Sequence, residues 1–150
     1  MRHSQAAAIL FDHRRTHQLI DNLPGGLRPA DLAAAYAIQA ELVRLELEDR
    51  GGKLVGYKAA CTNRLAQDLL QMDAPVFGRL LSPRVFENGA TLAASDYHIR
   101  CVESEYAFEI EADVPTCEVP YTRESIAEFV GAVVPSIEIV DHHFTDWTTV

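Results

Sequence analysis

The sequence lacks an excess of basic residues. Its 150 residues include 13 Lys and Arg against 22 Asp and Glu, which gives a formal net charge of -9 at pH 7. A nucleic-acid-binding surface needs a basic face to meet the phosphates, so this balance argues against nucleic acid as a partner. It leaves metal-binding enzymes and other acidic proteins open.

Long apolar runs are absent as well. No stretch is long enough to span a bilayer, and the N-terminal residues show no secretory signal pattern. We therefore expect no membrane partner and a cytoplasmic location. The length and the apolar content of 48% fit one ordinary globular domain with a hydrophobic core.

Cysteine is scarce, and the usual catalytic signatures are missing. The odd number of cysteines, Cys61, Cys101 and Cys117, and the absence of C-x-x-C spacing argue against a zinc ribbon and a fully paired disulfide framework. We expect buried or unreactive thiols. The sequence contains no P-loop, no G-x-G-x-x-G fingerprint and no Ser-His-Asp order.

The pattern that is present consists of helices followed mainly by strands, which predicts an α+β fold. The predicted division is a helical part over about residues 1–52 and a mainly β part over about 53–150. Apolar spacing and breakers predict helices over residues 6–23 and 29–50, a short helix capped by Thr62, and a helix that begins at Thr122 and ends at Pro135. Strands are predicted over residues 53–60, 77–81, 101–110 and 136–141.

The strand over residues 101–110 carries the first chemical signal. Side chains alternate across a strand, so Glu103 and Glu105 point to one side, roughly 6–7 Å apart. The opposite side is predicted to face the core, and it carries Val102, Tyr106, Phe108 and Ile110. Two neighbouring carboxylates repel each other unless a cation or a proton lies between them, and oxygen ligands suit Mg²⁺ or Mn²⁺. The alternative is a solvated strand face, since Glu109 and Glu111 continue the acidic row.

Two further charged residues lie in apolar strands. Glu138 stands between Ile137 and Ile139, where a buried carboxylate is costly unless it is paired or bound to a cation. If its strand lies beside the Glu103 strand, three carboxylates converge; otherwise Glu138 alternates outward from a one-sided sheet. Lys58 either extends its ammonium to the surface or pairs with a substrate carboxylate.

Four segments of the chain occur in an order that resembles a known family. They cover residues 56–62, 73–80, 102–105 and 135–147, with the patterns GYKAACT, DAPVFGRL, VESE and PSIEIVD…DW. Together they are similar to the successive blocks of the 2-keto-4-pentenoate hydratase branch of the fumarylacetoacetate hydrolase superfamily. This branch also includes 2-oxohept-4-ene-1,7-dioate hydratase and 4-oxalocrotonate decarboxylase, and the resemblance covers nearly the whole chain.

The resemblance implies a chemistry and a site. It implies a hydro-lyase of aromatic-compound catabolism that uses Mg²⁺ or Mn²⁺ on 2-hydroxydienoic or 2-oxo-enoic acids such as 2-hydroxypenta-2,4-dienoate. It further implies Glu103, Glu105 and Glu138 as the metal ligands, and Lys58 as the substrate-binding and catalytic residue. The alternatives are a 4-oxalocrotonate decarboxylase-like enzyme and an inactive truncated fragment or interaction module.

The resemblance also implies an architecture and one departure. It implies N-terminal helices followed by part of a mixed β-roll, and a homo-oligomer. Family members continue well past the position of Trp147, so the β-roll is expected to be incomplete within these residues. Many hydratases of the branch carry an aspartate where this chain has Val76. The acid/base step of that aspartate therefore cannot be assigned to Val76.

Overall fold

The computed structural model describes residues 1–146. It consists of two compact units: the first combines Met1–Asp96 with the segment that starts at His142, and the second is Tyr97–Asp141. The predicted α+β content is confirmed, whereas the prediction that residues 1–150 form one domain stays a prediction. Trp147, the end of the last family-like segment, lies outside the described residues. Among the described residues, no helix has the length and apolar character needed to cross a membrane.

The first helix, α1 (Arg2–Arg15), is shorter than predicted. The Thr16 hydroxyl donates to the Asp12 carbonyl at 2.7 Å, and His17 adopts a left-handed φ of 52°, so the helix does not continue to residue 23. Ile20 is buried all the same, because its backbone forms a parallel bridge with Phe144. The apolar residues after the end of α1 therefore indicate burial beside a β-bridge, and not one face of a longer helix.

The second helix, α2 (Leu32–Arg50), supplies most of the core. Asp31 caps it by accepting a hydrogen bond from the Ala34 amide at 2.8 Å, so it starts three residues after Pro29. Leu32, at the start of this helix, is 47% exposed. The core cluster of the first unit consists of Ala6, Ala7, Ile20, Leu23, Ile38 and Leu42.

A two-stranded antiparallel sheet follows α2 in the first unit. It pairs β1 (Leu54–Ala60) with β2 (Val76–Leu81), and α3 (Arg64–Leu69) lies between them in sequence. The cap of α3 is Asn63 rather than Thr62, because the Asn63 side chain accepts from the Ala66 amide at 2.9 Å. Short 3-10 turns cover Gly25–Leu27, Ser82–Arg84 and Ala94–Asp96.

The second unit is an antiparallel ribbon of β3 (Cys101–Ile110) and β4 (Val130–Val140). The bounds of β3 are as predicted. The helix α4 (Arg123–Ala127) is capped by Thr122 as predicted, but it ends well before Pro135. Pro135 instead lies inside β4, since a two-stranded ribbon leaves one side of each strand outside the hydrogen-bonded ladder.

One of the two faces of the ribbon carries mainly apolar side chains, and we call it the apolar face. It consists of side chains that are each more than half exposed: Val102, Tyr106, Phe108, Ile110, Val133 and Ile137. The prediction that this side of β3 faces the core is therefore wrong for the described residues. Alternation placed these side chains together correctly, but burial also requires an element packed on top of them.

Candidate metal centre

The register of the β3–β4 ribbon brings three carboxylates to the face opposite the apolar face. Glu103 and Glu138 are direct partners across the two strands, and Glu105 pairs with Ser136 in the next same-face position. Each of the three glutamates offers one carboxylate oxygen, and these three oxygens all lie within 4.8 Å of one another. The strand of Glu138 therefore lies beside the strand of Glu103, and the three carboxylates converge in the structure.

The electrostatics of this cluster favour a cation. Glu105 and Glu138 are half-buried and Glu103 is exposed, while the Oε2 atom of Glu138 is itself buried. Like charges directly opposite each other on a sheet are destabilising, and partial burial weakens the screening by water. A divalent ion among the three carboxylates would remove this repulsion.

The donor set fits a hard divalent cation. All three groups are carboxylates, the ligands that Mg²⁺, Mn²⁺ and Ca²⁺ prefer over softer metals. Mg²⁺ binds its oxygen ligands at about 2.0–2.1 Å, so the three carboxylate oxygens, which all lie within 4.8 Å of one another, would have to move closer together to bind one ion. Three protein ligands also leave positions for water or a substrate.

The acidic row on β3 is not uniform. Glu109 shares the face of Glu103 and Glu105, but its cross-strand partner is Ala132 and it does not belong to the cluster. Within residues 1–146, Glu103, Glu105 and Glu138 form the one group of three or more His, Cys, Asp or Glu side chains with this proximity. Exposed acidic groups often occur without a metal, so their role as ligands stays a prediction.

Lys58 lies on β1 in the first unit and is half-buried. It pairs with Gly78 of β2, and a Cβ atom added to Gly78 would lie 3.1 Å from both Cγ and Cδ of Lys58. The glycine therefore leaves room for the aliphatic part of the lysine. Val76, also half-buried, pairs with Ala60 in the same sheet. The substrate role of Lys58 stays a prediction.

Sequence reasoning missed two polar residues. Ser136 shares the carboxylate face, and its position two residues before Glu138 on a strand could have indicated this. Glu46 is buried in the first unit, and its spacing from Ile38 and Leu42 along one helix side was the available signal.

Of the three cysteines, Cys61 is buried as expected, whereas Cys101 and Cys117 are exposed.

No protein-family model matches the sequence. Individual proteins do: the chain is 31% identical over 143 residues to 2-keto-4-pentenoate hydratase of Paraburkholderia xenovorans strain LB400, covering 95% of the chain and 52% of the relative. It is 34% identical over 115 residues to 2-hydroxyhexa-2,4-dienoate hydratase of Comamonas testosteroni, covering 75% of the chain and 42% of the relative. The chain thus spans about half the length of the curated relatives it matches.

A solved structure shares the fold. The structure of 4-oxalocrotonate decarboxylase from Pseudomonas putida G7, complexed with magnesium and adipate, superposes with a TM-score of 0.84. The match covers 97% of this chain and 54% of that chain at 19% sequence identity, so it bears on the fold alone.

Proposed function

We propose that the chain is part of a divalent-metal-dependent hydro-lyase of the 2-keto-4-pentenoate hydratase branch of the fumarylacetoacetate hydrolase superfamily, because it is 31–33% identical to 2-keto-4-pentenoate hydratases of which it covers 52–53%. The proposed substrates are 2-hydroxydienoic or 2-oxo-enoic acids, for example 2-hydroxypenta-2,4-dienoate from aromatic-compound catabolism. The observation that carries the proposal is the convergence of Glu103, Glu105 and Glu138 on one face of the β3–β4 ribbon.

The proposed ligands of the ion are these three carboxylates, and the proposed ion is Mg²⁺ or Mn²⁺. The fold neighbour was solved with magnesium and a dicarboxylate, which supports a divalent ion together with a carboxylate ligand. Such an ion, when bound, acts as a Lewis acid that stabilises negative charge on an enolate oxygen and orients the substrate.

The protein residues have distinct proposed tasks. The three glutamates bind the ion and leave part of its coordination shell open, because they provide only three oxygens at the cluster. The Lys58 ammonium pairs with a substrate carboxylate. Val76 cannot transfer a proton, so no acid/base step is assigned to position 76. We further propose a homo-oligomer, for which the apolar face offers an uncovered surface.

A thermal-melting experiment tests the metal site. The chain is melted with and without millimolar Mg²⁺ plus oxalate, a flat dianion that resembles an enolate substrate. A ligand that binds only the folded form, at 100 times its dissociation constant, adds about 2.7 kcal/mol of stability, so the melting temperature should rise. Glu105→Gln should abolish this rise, whereas Glu109→Gln, on the same face but outside the cluster, should keep it. Equal rises in both variants would contradict the proposal.

Product analysis tests the reaction. Incubation with 2-hydroxypenta-2,4-dienoate and Mg²⁺ should yield the hydrated 2-oxo acid. The 4-oxalocrotonate decarboxylase of Pseudomonas putida is also similar to the chain, at 26% identity over 117 residues. Release of carbon dioxide from 4-oxalocrotonate without hydration of the dienoate would therefore replace the hydratase assignment with a decarboxylase. Metal binding without either reaction would leave a binding module.

A further inference from the structure

We infer that Ser136 completes the carboxylate site as its hydrogen-bond donor, and this inference rests on the proposed metal-dependent function. Two neighbouring same-face pairs, Glu103–Glu138 and Glu105–Ser136, define four positions on the ribbon. Direct partners in an antiparallel sheet have Cβ atoms about 4.5–5.5 Å apart, and same-face neighbours along a strand are about 6–7 Å apart. Three of the four positions are carboxylates, and Ser136 is the fourth.

The chemistry of the fourth position differs from that of the other three. Ionised carboxylates can only accept hydrogen bonds, and they repel an anionic substrate. The oxygens of a substrate carboxylate that would fill the open part of the ion's shell are acceptors. A serine hydroxyl provides a donor for such an oxygen without adding a negative charge to the site.

The Ser136 hydroxyl is available for this purpose. Ser136 is half-buried, and within residues 1–146 its hydroxyl has no hydrogen bond to another residue. It therefore plays no visible part in holding the ribbon together. We assign it as a positioning residue that orients a carboxylate ligand of the proposed ion through one charge-assisted hydrogen bond.

The ribbon contains a matched control. Ser104 lies one residue from both Glu103 and Glu105 on β3, but it pairs with Ile137 on the opposite face. It is the same residue type, in the same sheet and at the neighbouring rung of the ladder. A general effect of losing a serine hydroxyl from the ribbon should appear at Ser104 as strongly as at Ser136.

The experiment measures oxalate binding by titration calorimetry at saturating Mg²⁺. Ser136→Ala should weaken oxalate binding about tenfold, the effect of losing a hydrogen bond to a charged acceptor. Its affinity for Mg²⁺ alone and its urea midpoint should stay close to those of the wild type. Ser136→Thr, which keeps the hydroxyl, and Ser104→Ala should both bind oxalate as the wild type does.

The outcomes separate this inference from the proposal on which it rests. Unchanged oxalate affinity in Ser136→Ala, or an equal loss in Ser104→Ala, overturns the role of Ser136 even if Glu105→Gln abolishes binding. A wild-type chain that binds neither Mg²⁺ nor oxalate overturns both. If Ser136→Ala does not melt cooperatively, Ser136→Cys is measured in its place. It is similar in size but a weak donor, and the same loss of oxalate affinity is expected.

Discussion

Glu46 is the one buried charged side chain in the part of the chain that the structure describes, with 4% of its surface exposed. Its carboxylate accepts a hydrogen bond from Arg14 Nη1 at 2.8 Å and lies 3.4 Å from Arg84 Nε. Burial raises the pKa of the Glu46 carboxyl, but the charge and hydrogen bond of Arg14 and the charge of Arg84 lower the pKa by more. The carboxylate therefore links α1, α2 and the Ser82–Arg84 turn.

Removing the Glu46 charge should destabilise the first unit. Glu46→Gln should lower the free energy of unfolding by about 2 kcal/mol at pH 7, because it leaves two arginines beside a neutral buried group. Urea titration measures this change. The control is Glu48→Gln, which removes the exposed ion pair of Glu48 with Arg44 and should cost under about 0.5 kcal/mol. Equal losses in the two variants would contradict the assignment.

The same carboxylate predicts a dependence of stability on pH. The pKa of Glu46 in the folded chain lies below its ordinary value of 4.5. The resulting stabilisation is fully present above the unfolded pKa and is lost as the pH falls through the folded pKa. The difference in unfolding free energy between the wild type and Glu46→Gln should therefore be constant near neutrality and shrink below about pH 4.5. Urea titrations of both proteins across this range test it, and a constant difference would be inconsistent with the linkage.

Lys58 carries the prediction that concerns the substrate. Lys58→Met should lower kcat/KM for the dienoate by at least about tenfold, because it removes the proposed charge-assisted bond to a substrate carboxylate. Stabilisation by Mg²⁺ alone should persist, since Lys58 is not a proposed ligand. Lys53→Met, just before β1, is the matched control and should keep full activity. Unchanged kcat/KM in Lys58→Met would remove Lys58 from the site.

At the scale of elements, side chains of α2 satisfy the backbone of β2. The Phe77 amide donates to the Tyr36 hydroxyl at 3.2 Å, and the Phe77 carbonyl accepts from Gln39 Nε2 at 3.1 Å. The Gln39 carbonyl oxygen in turn accepts from Arg79 Nη1 at 2.7 Å, and the Tyr36 and Phe77 rings stack at 4.3 Å. These contacts fasten the first sheet to the helix.

Loss of the Gln39 amide should therefore loosen the first sheet. Gln39→Leu keeps the approximate volume but removes two hydrogen bonds, at an expected cost of about 1–2 kcal/mol in unfolding free energy. Urea titration gives the cost, and amide exchange should accelerate in β2. Gln18→Leu, at an exposed position after α1, should have little effect. A Gln39 variant as stable as the wild type would show that these bonds contribute nothing net.

Some elements were predictable because their signal is local. The strand over Cys101–Ile110 has period-2 alternation and polar flanks, so its bounds and the common side of Glu103 and Glu105 followed from the sequence. The end of α1 did not, because Ile20 is buried by a bridge to Phe144, a residue far along the chain. Pairing with β3 likewise placed residues 130–135 in a strand, although the apolar spacing before Pro135 predicted a helix there.

In the candidate site, too, some features follow from local sequence patterns and others depend on residues far apart in the chain. That Glu138 stands opposite Glu103 depends on the register of two strands that are separated by α4 and its flanking loops, and no local pattern specifies this register. The resemblance to a family supplied the expectation, and the register explains how the residues come together. No functional role was predicted for Ser136, because the family pattern assigns none to its position.

At the scale of the whole molecule, the apolar face of the β3–β4 ribbon predicts self-association. Its members are each at least 54% exposed, and such contiguous apolar surface commonly marks an interaction site. Sedimentation should show a mass that rises with concentration, and Phe108→Ser should shift the equilibrium toward monomer. Phe86→Ser, at a phenylalanine 54% exposed in the first unit, is the control and should not. A monomer at all concentrations would contradict the prediction.

The fit between Gly78 and Lys58 couples the substitutions that these two positions tolerate. Any side chain at position 78 would press on the lysine stem while Lys58 remains, whereas a shorter residue at position 58 would remove that obstacle. A side chain at position 78 therefore requires the lysine stem to shift by a few tenths of an ångström. Lineages that retain the lysine should keep the glycine more often than lineages that have replaced the lysine with a shorter residue.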